Sequence, residues 1–253
     1  MTLTPEQETI CAANPTDFSD LRALLFNTTL KRRPGESHTG LLLGVVAAMM
    51  ERAGVAVDQV HLASYQVPPG VYPDMTEHGH EADEWPALWE RVREADILVI
   101  GTPLWLGEES SLCRILIERL YGMSGLLNAR GQSIFYGKVG GSVITGNEDG
   151  VKHAAMTIGF ALSHLGVVIP PQADCGWIGE AGPGPSYGDR LDDGRRAGFD
   201  NDFTQRNTTI MTWNLMHLAR MLKDAGGIPS HGNDRRAWNA GCRFDFDNPE
   251  HRT

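Results

Sequence analysis

The stretch that decides the fold runs from Leu21 to Met50, LRALLFNTTLKRRPGESHTGLLLGVVAAMM. It opens with a short, mostly apolar run, Leu21 to Phe26, of the length of one strand. A polar turn follows from Asn27 to Thr39, with Lys31, Arg32 and Arg33 ahead of Pro34-Gly35. Apolar pairs then recur at Leu41-Leu42, Val45-Val46 and Met49-Met50, a spacing that keeps them on one helical face. A strand that becomes a helix through hydroxyls and amides makes an anion site. The first free N–H groups of the helix point outward, at the positive end of its dipole. Ser37 has two readings: an N-cap only, or a phosphate ligand beside His38 and Thr39. Asn27, Thr28, Thr29 and three cations share the turn in a chain of net charge −10, which favours an anion site.

Outward from this unit the pattern alternates. Val55, Val57, Val60 and Leu62 mark a second strand, and Trp85, Leu88, Trp89 and Val92 mark a helix face. Ile97 to Ile100 is a continuous apolar run, as in a central parallel strand buried on both faces. It leads into GTPLWLGEESS, read as an irregular apolar loop at the carboxyl end of a central strand, where ligands of open α/β sheets sit. Pro103 fixes the backbone there, and Gly107 permits close approach of a flat ligand. Trp105 reads as core packing or as a ligand wall.

Leu112, Ile115, Leu116 and Leu120 mark the next helix. Val139 to Thr145 forms a fourth strand ending in TGNEDG, and Ala154, Ile158, Ala161, Leu162 and Leu165 share a helix face behind it. A fifth strand begins at Val167 to Ile169, with room to resume beyond Pro170-Pro171 toward Trp177. Met211, Leu215, Leu218 and Leu222 mark a last helix.

Five parallel strands with alternating helices imply an α/β fold, a flavodoxin-like doubly wound sheet of order 2-1-3-4-5 with helices on both faces. The expected organisation is an N-terminal arm over residues 1–20 and a domain over 21–225. Within the domain, 178–203 is an irregular Gly, Pro and Asp-rich insert, either a lid or a subunit-contacting excursion. A tail, 226–253, packs on the domain or on a partner subunit through Trp238, Phe244 and Phe246.

The balance of charge argues against nucleic acid, whose phosphates need a basic surface. No apolar run approaches the roughly 20 residues of a membrane span, and the polar N-terminus lacks the order of a signal peptide, so a cytoplasmic setting is expected. Cys11, Cys113, Cys175 and Cys242 form no CxxC pair, so no metal site is expected. His78 and His80 in the long loop 65–82 have no further ligand and read as a solvated loop. Cys113 falls on a helical pattern and reads as a small buried hydrophobe rather than a nucleophile.

The loops after strands one, three and four gather along one edge. The first takes a phosphate and the other two hold a flat heterocycle, so FMN meets both demands at once. NTTLKRRPGESHT, GTPLWLGEESSLCRILIER and TGNEDG together resemble the NAD(P)H-dependent FMN reductase family of flavodoxin-like proteins. The resemblance implies that Thr29, Lys31, Ser37, His38 and Thr39 wrap the FMN phosphate. Pro103, Leu104, Trp105, Leu106 and Gly107 would lie along the isoalloxazine, and Thr145, Gly146, Asn147 and Gly150 would border it from the other side. It further implies NAD(P)H as electron donor, a quinone or similar small acceptor, and a homodimer or homotetramer. The flavin carries the chemistry, so no catalytic acid or base is named. A flavodoxin-like electron carrier without nicotinamide activity is the alternative, and a scaffold that lost its flavin is a third. The chain departs from the family pattern by RRPGE inserted before Ser37, by the 178–203 insert and by the long tail.

Overall fold

The computed structural model describes residues 3–180, 182 and 184–241. Its strands are β1 (Arg22–Asn27), β2 (Ala56–His61), β3 (Ile97–Trp105), β4 (Glu108–Glu109), β5 (Val139–Gly146) and β6 (Asp174–Ile178). All but β4 are parallel, in the order β2-β1-β3-β5-β6. Without the two-residue β4 this is the doubly wound order expected from the sequence, and the helices cover both faces.

The helices are α1 (Pro5–Ala12), α2 (His38–Arg52), α3 (Trp85–Glu94), α4 (Ser111–Gly122), α5 (Val151–Leu165), α6 (Asp202–Asp224) and α7 (Arg235–Asn239). Alternation along β1 and β3 divides the core between the two faces. Leu25, Ile97 and Val99 face the layer of α2 and α6 with Leu42, Val46, Met49 and Leu215. Leu24, Phe26, Leu98 and Ile100 face the layer of α3, α4 and α5 with Trp85, Trp89, Leu116 and Leu162. Each fully buried Val, Leu, Ile or Phe contributes about 1.5–3 kcal/mol, so Ile97 to Ile100, buried at every position, anchor β3 to both layers.

Four local features depart from the sequence reading. Within the expected arm, residues 5–12 form a helix closed by a capping box: Gln7 N donates to Thr4 Oγ1 (3.2 Å) and Thr4 N to Gln7 Oε1 (3.0 Å). Gln7 then reaches α6 through Gln205 (3.0 Å) and Thr209 (3.1 Å). The GTPLW segment is not an irregular loop but continues β3, because β4 folds back on it with Leu104 opposite Glu109 and Trp105 opposite Glu108. The fifth parallel strand is Asp174–Ile178, and Val168 makes only one bridge, to Val139. Pro170-Pro171 supplies no amide hydrogen there, which breaks the ladder. The insert folds back on itself, with a bridge between Arg190 and Arg196.

Buried polar groups tie the connections down. The fully buried side chains of Arg119 and Asp83 pair and staple the long loop before α3 to α4. Lys138 donates to the carbonyls of Arg93 (2.8 Å) and Ala95 (2.6 Å) at the end of α3, and burial pushes its amine down to about 8. Arg235 N donates to the Gly131 carbonyl (2.8 Å), which sets the start of α7 on the 124–132 connector. Phe244 and Phe246, expected to pack with the tail, lie outside the described residues.

Candidate functional site

A cleft of about 760 Å³ opens at the carboxyl ends of β1, β3 and β5, within the size range of small-molecule sites. Register brings its walls together: Asn27, the last residue of β1, lies opposite both His61 and Gly101, and Pro103 lies opposite Thr145.

The first wall is the β1–α2 loop. Thr28 donates to the Gly101 carbonyl from both N and Oγ1 (2.8 Å each), and Ser110 Oγ donates to the Thr28 carbonyl (2.6 Å). Asn27 accepts from Thr29 N (3.2 Å) and donates to Ser37 Oγ (3.0 Å). Its amide also lies 3.3 Å from His61 Nδ1, while His61 Nε2 lies 2.8 Å from the Lys31 carbonyl. A carbonyl only accepts, so Nε2 carries the hydrogen and Nδ1 accepts. One histidine thus braces the start and the middle of the loop. Sequence reasoning passed over Asn27 as a brace and His61 entirely; their adjacency becomes visible only when β1 and β2 are aligned.

Thr29, Lys31, His38 and Thr39 line the cleft. Ser37 does not: it is buried, and its hydroxyl accepts from Gly40 N (2.9 Å) as the N-cap of α2. The N–H groups of His38 and Thr39, in the first turn of this helix, have no acceptor among the described residues. The Thr39 hydroxyl meets that of Thr145 across the cleft floor (2.7 Å). Lys31 Nζ donates to the Glu36 carbonyl (2.8 Å).

The second wall is the end of β3. Pro103, Leu104 and Trp105 line the cleft, with Trp105 45% exposed. Leu106 and Gly107 form the turn to β4, both at positive φ (53° and 79°), as a two-residue type I′ turn requires. They lie outside the lining. The third wall is the β5–α5 loop, where Thr145, Gly146, Asn147 and Glu148 line the cleft. Gly150 does not line it; it packs against the Gly107 backbone behind the wall.

The fourth wall is the insert. Gly182, Gly184, Ser186 and Tyr187 line the cleft. Asn147 donates its side-chain amide to the Gly184 carbonyl, and His38 Nδ1 donates to the Tyr187 carbonyl (2.9 Å). Burial pushes the Tyr187 phenol up to about 12, so its proton stays in place at neutral pH. The Cys113 thiol is fully buried, and burial pushes it up to about 12, as for a small core side chain rather than a reactive thiolate.

Among the described residues no cluster of three or more His, Cys, Asp and Glu is placed to hold a metal ion. His78 in the long loop stacks on Tyr72, with ring centroids 3.8 Å apart.

The chain is similar to several other proteins. It is 36% identical over 213 residues to 8-demethyl-8-aminoriboflavin-5′-phosphate synthase of Streptomyces davaonensis, covering 81% of this chain and 79% of that protein. It superposes with a TM-score of 0.77 at 34% identity on a crystal structure of RosB with bound 8-demethyl-8-formylriboflavin-5′-phosphate, covering 90% of this chain and 88% of that one. It is 56% identical over 223 residues to the divalent metal cation transporter MntH of Mycobacterium bovis, covering 88% of this chain. The chain spans only 32% of that transporter's length, and no helix among the described residues is long and apolar enough to cross a membrane. The family model described as NADPH-dependent FMN reductase matches residues 22–176, a span that carries β1 through the middle of β6 and three of the four cleft walls, and the chain belongs to that family.

Proposed function

We propose that the cleft binds FMN and that the protein passes electrons from NAD(P)H to a small acceptor such as a quinone. The observation that carries this reading is one cleft holding both an anion-binding helix end and a flat apolar wall. The N–H groups of His38 and Thr39 lack acceptors among the described residues, and Lys31 and Thr29 stand beside them. A phosphate satisfies such groups. Pro103, Leu104 and Trp105 offer the wall for a ring, and Thr145, Gly146 and Asn147 offer the opposing edge.

In this account Thr29, Lys31, His38 and Thr39 hold the phosphate directly. Ser37 acts from behind, fixing the first turn of α2 so that its amides face the cleft. Leu106 and Gly107 shape the end of the ring wall, and Gly150 seats that end against α5. Bound FMN supplies two-electron chemistry between a nicotinamide and an acceptor. The insert narrows the cleft and excludes water from the ring.

The test is anaerobic mixing of the FMN-loaded protein with NADH or NADPH, followed by a quinone. Bleaching of the flavin band and its return support the reading. Absence of bleaching with both nicotinamides would instead fit an electron carrier. The name of the Streptomyces relative favours a second reading, in which the flavin phosphate is itself the substrate. Mass spectrometry of the flavin after turnover separates them: an unchanged mass fits a cofactor, an altered mass a substrate.

A homodimer or homotetramer fits the apolar groove between α4 and α5, where Tyr121, Met156 and Phe160 stand 51%, 65% and 71% exposed. Light scattering tests it, and a monomer at working concentration would reject it. A cytoplasmic setting fits three buried free thiols, Cys11, Cys113 and Cys175.

A further inference from the structure

The tip of the β3–β4 hairpin is held in an unfavourable conformation by a group from another wall of the cleft. Leu106 sits at φ 53°, and only Gln172 shares a positive φ among the described non-glycine residues. The left-handed region crowds a Cβ against the following carbonyl, which is why hairpin turns of this type favour Asn-Gly or Gly-Gly. Packing does not hold Leu106 there, because it is 91% exposed. Its backbone does: Leu106 N donates to Glu148 Oε2 at 2.7 Å. The next residue is tied as well, with the Gly107 carbonyl 3.2 Å from His153 Nδ1. Glu148 is a wall residue of the cleft, and so is Trp105, the neighbour of Leu106 in the chain.

The geometry points to Glu148 as a positioning residue that presets the Trp105 side of the flavin slot by holding Leu106 in the left-handed conformation. This rests on the reading of the cleft as an FMN site. The bond joins the second wall to the third beyond the pairing of Pro103 with Thr145, so it sets the outer, Trp105 end of the slot that a planar ring must enter. Without it only the two-pair β3–β4 ladder holds Leu106 at φ 53°, and a ligand must reorder a looser turn on binding. An ordinary surface hydrogen bond would do none of this, and the two roles separate by substitution.

The experiment titrates FMN into the full-length apo-protein in wild type, Glu148→Ala, Glu148→Gln, Leu106→Gly and the Glu148→Ala/Leu106→Gly double variant. Hydrogen exchange of the Leu106 amide is followed without flavin. Glu148→Ala should weaken FMN roughly five- to tenfold, since the bond has a charged acceptor but is partly solvated. Glu148→Gln keeps an acceptor oxygen and should stay within about twofold of wild type. In the Leu106→Gly background the alanine substitution should cost less than about twofold, because glycine takes positive φ freely. The Leu106 amide should exchange slowly in wild type and faster in Glu148→Ala.

Unchanged FMN affinity or unchanged amide exchange in Glu148→Ala overturns the proposal. So does a full affinity loss that persists in the Leu106→Gly background, which would mean that Glu148 touches the ligand itself. A wild type that takes up no FMN fails differently: the reading of the cleft falls and takes the positioning role with it, whatever the amide shows.

Discussion

The α-carbon of Gly107 occupies the space that a side chain on Gly150 would need. Gly150 also sits at φ 109°, a conformation open to glycine. Two loops that follow different strands therefore meet backbone to backbone behind the cleft.

Gly150→Ala should destabilise the fold by about 1–3 kcal/mol, from a strained φ and a collision that only a loop shift relieves. Gly159, inside α5, is the control: a Cβ added there would meet nothing within 4 Å. Gly159→Ala should stabilise by about 0.5–1 kcal/mol through helix propensity. Urea denaturation of both variants checks the contrast. A neutral Gly150→Ala would mean that the two loops are not locked.

Ser37 and Thr39 should separate. Ser37→Ala removes a buried cap and should cost about 1 kcal/mol of stability, with little direct effect on flavin affinity. Thr39→Val leaves the cap but removes a hydroxyl from the cleft and its bond to Thr145. It should weaken FMN about tenfold, the order expected for one hydrogen bond to a charged group. Melting curves of the apo-proteins and FMN titrations give the two readouts. The opposite pattern would put the phosphate on Ser37.

The strand–turn–helix from Leu21 to Met50 was legible because apolar runs of strand length and helical spacing stand next to each other. The central strand was legible because Ile97 to Ile100 is apolar at every position. Ten of the residues expected around FMN line one cleft: Thr29, Lys31, His38, Thr39, Pro103, Leu104, Trp105, Thr145, Gly146 and Asn147. Their convergence follows mainly from strand order, since each lies at a strand end, in the loop that follows it or, for His38 and Thr39, in the first turn of the next helix. What was missed depends on contacts between distant segments. The insert forms a wall because His38 and Asn147 bind its carbonyls, and no local pattern announces that. The hairpin at Leu106 was hidden because Leu-Gly is a poor signal for its turn. The helix at residues 5–12 did leave a signal, Thr4-Pro5-Glu6-Gln7, a capping box with proline in the first turn.

Removing the imidazole that holds the insert should loosen it. His38→Ala deletes the bond to the Tyr187 carbonyl, and Arg190, Arg195 and Arg196 nearby are exposed to trypsin. Cleavage at these arginines should become several-fold faster, as expected when local opening becomes easier. Cleavage at the wild-type rate would show that His38 does not hold the insert.

Lys138 gives a pH signature. Burial lowers its folded-state value from 10.5 to about 8, so between these limits the unfolded chain binds more protons than the folded one. Stability contributed by this group therefore rises with pH from about 8 and levels off above 10.5. Relative to Lys138→Met, wild-type stability should climb by about 1 kcal/mol per pH unit in this window. Urea denaturation of both proteins from about pH 7.5 to about 9.5 measures the difference. Parallel curves would show that the two carbonyls keep the amine charged.

Calorimetric titration of the apo-protein with FMN and with riboflavin decides whether the cleft holds a flavin by its phosphate. The two ligands share the ring and differ in the group assigned to the α2 end. One FMN should bind per chain, with riboflavin weaker by about a hundredfold or more, as expected when several charge-assisted hydrogen bonds are lost. Equal affinity for the two, or no binding of FMN, would contradict the account.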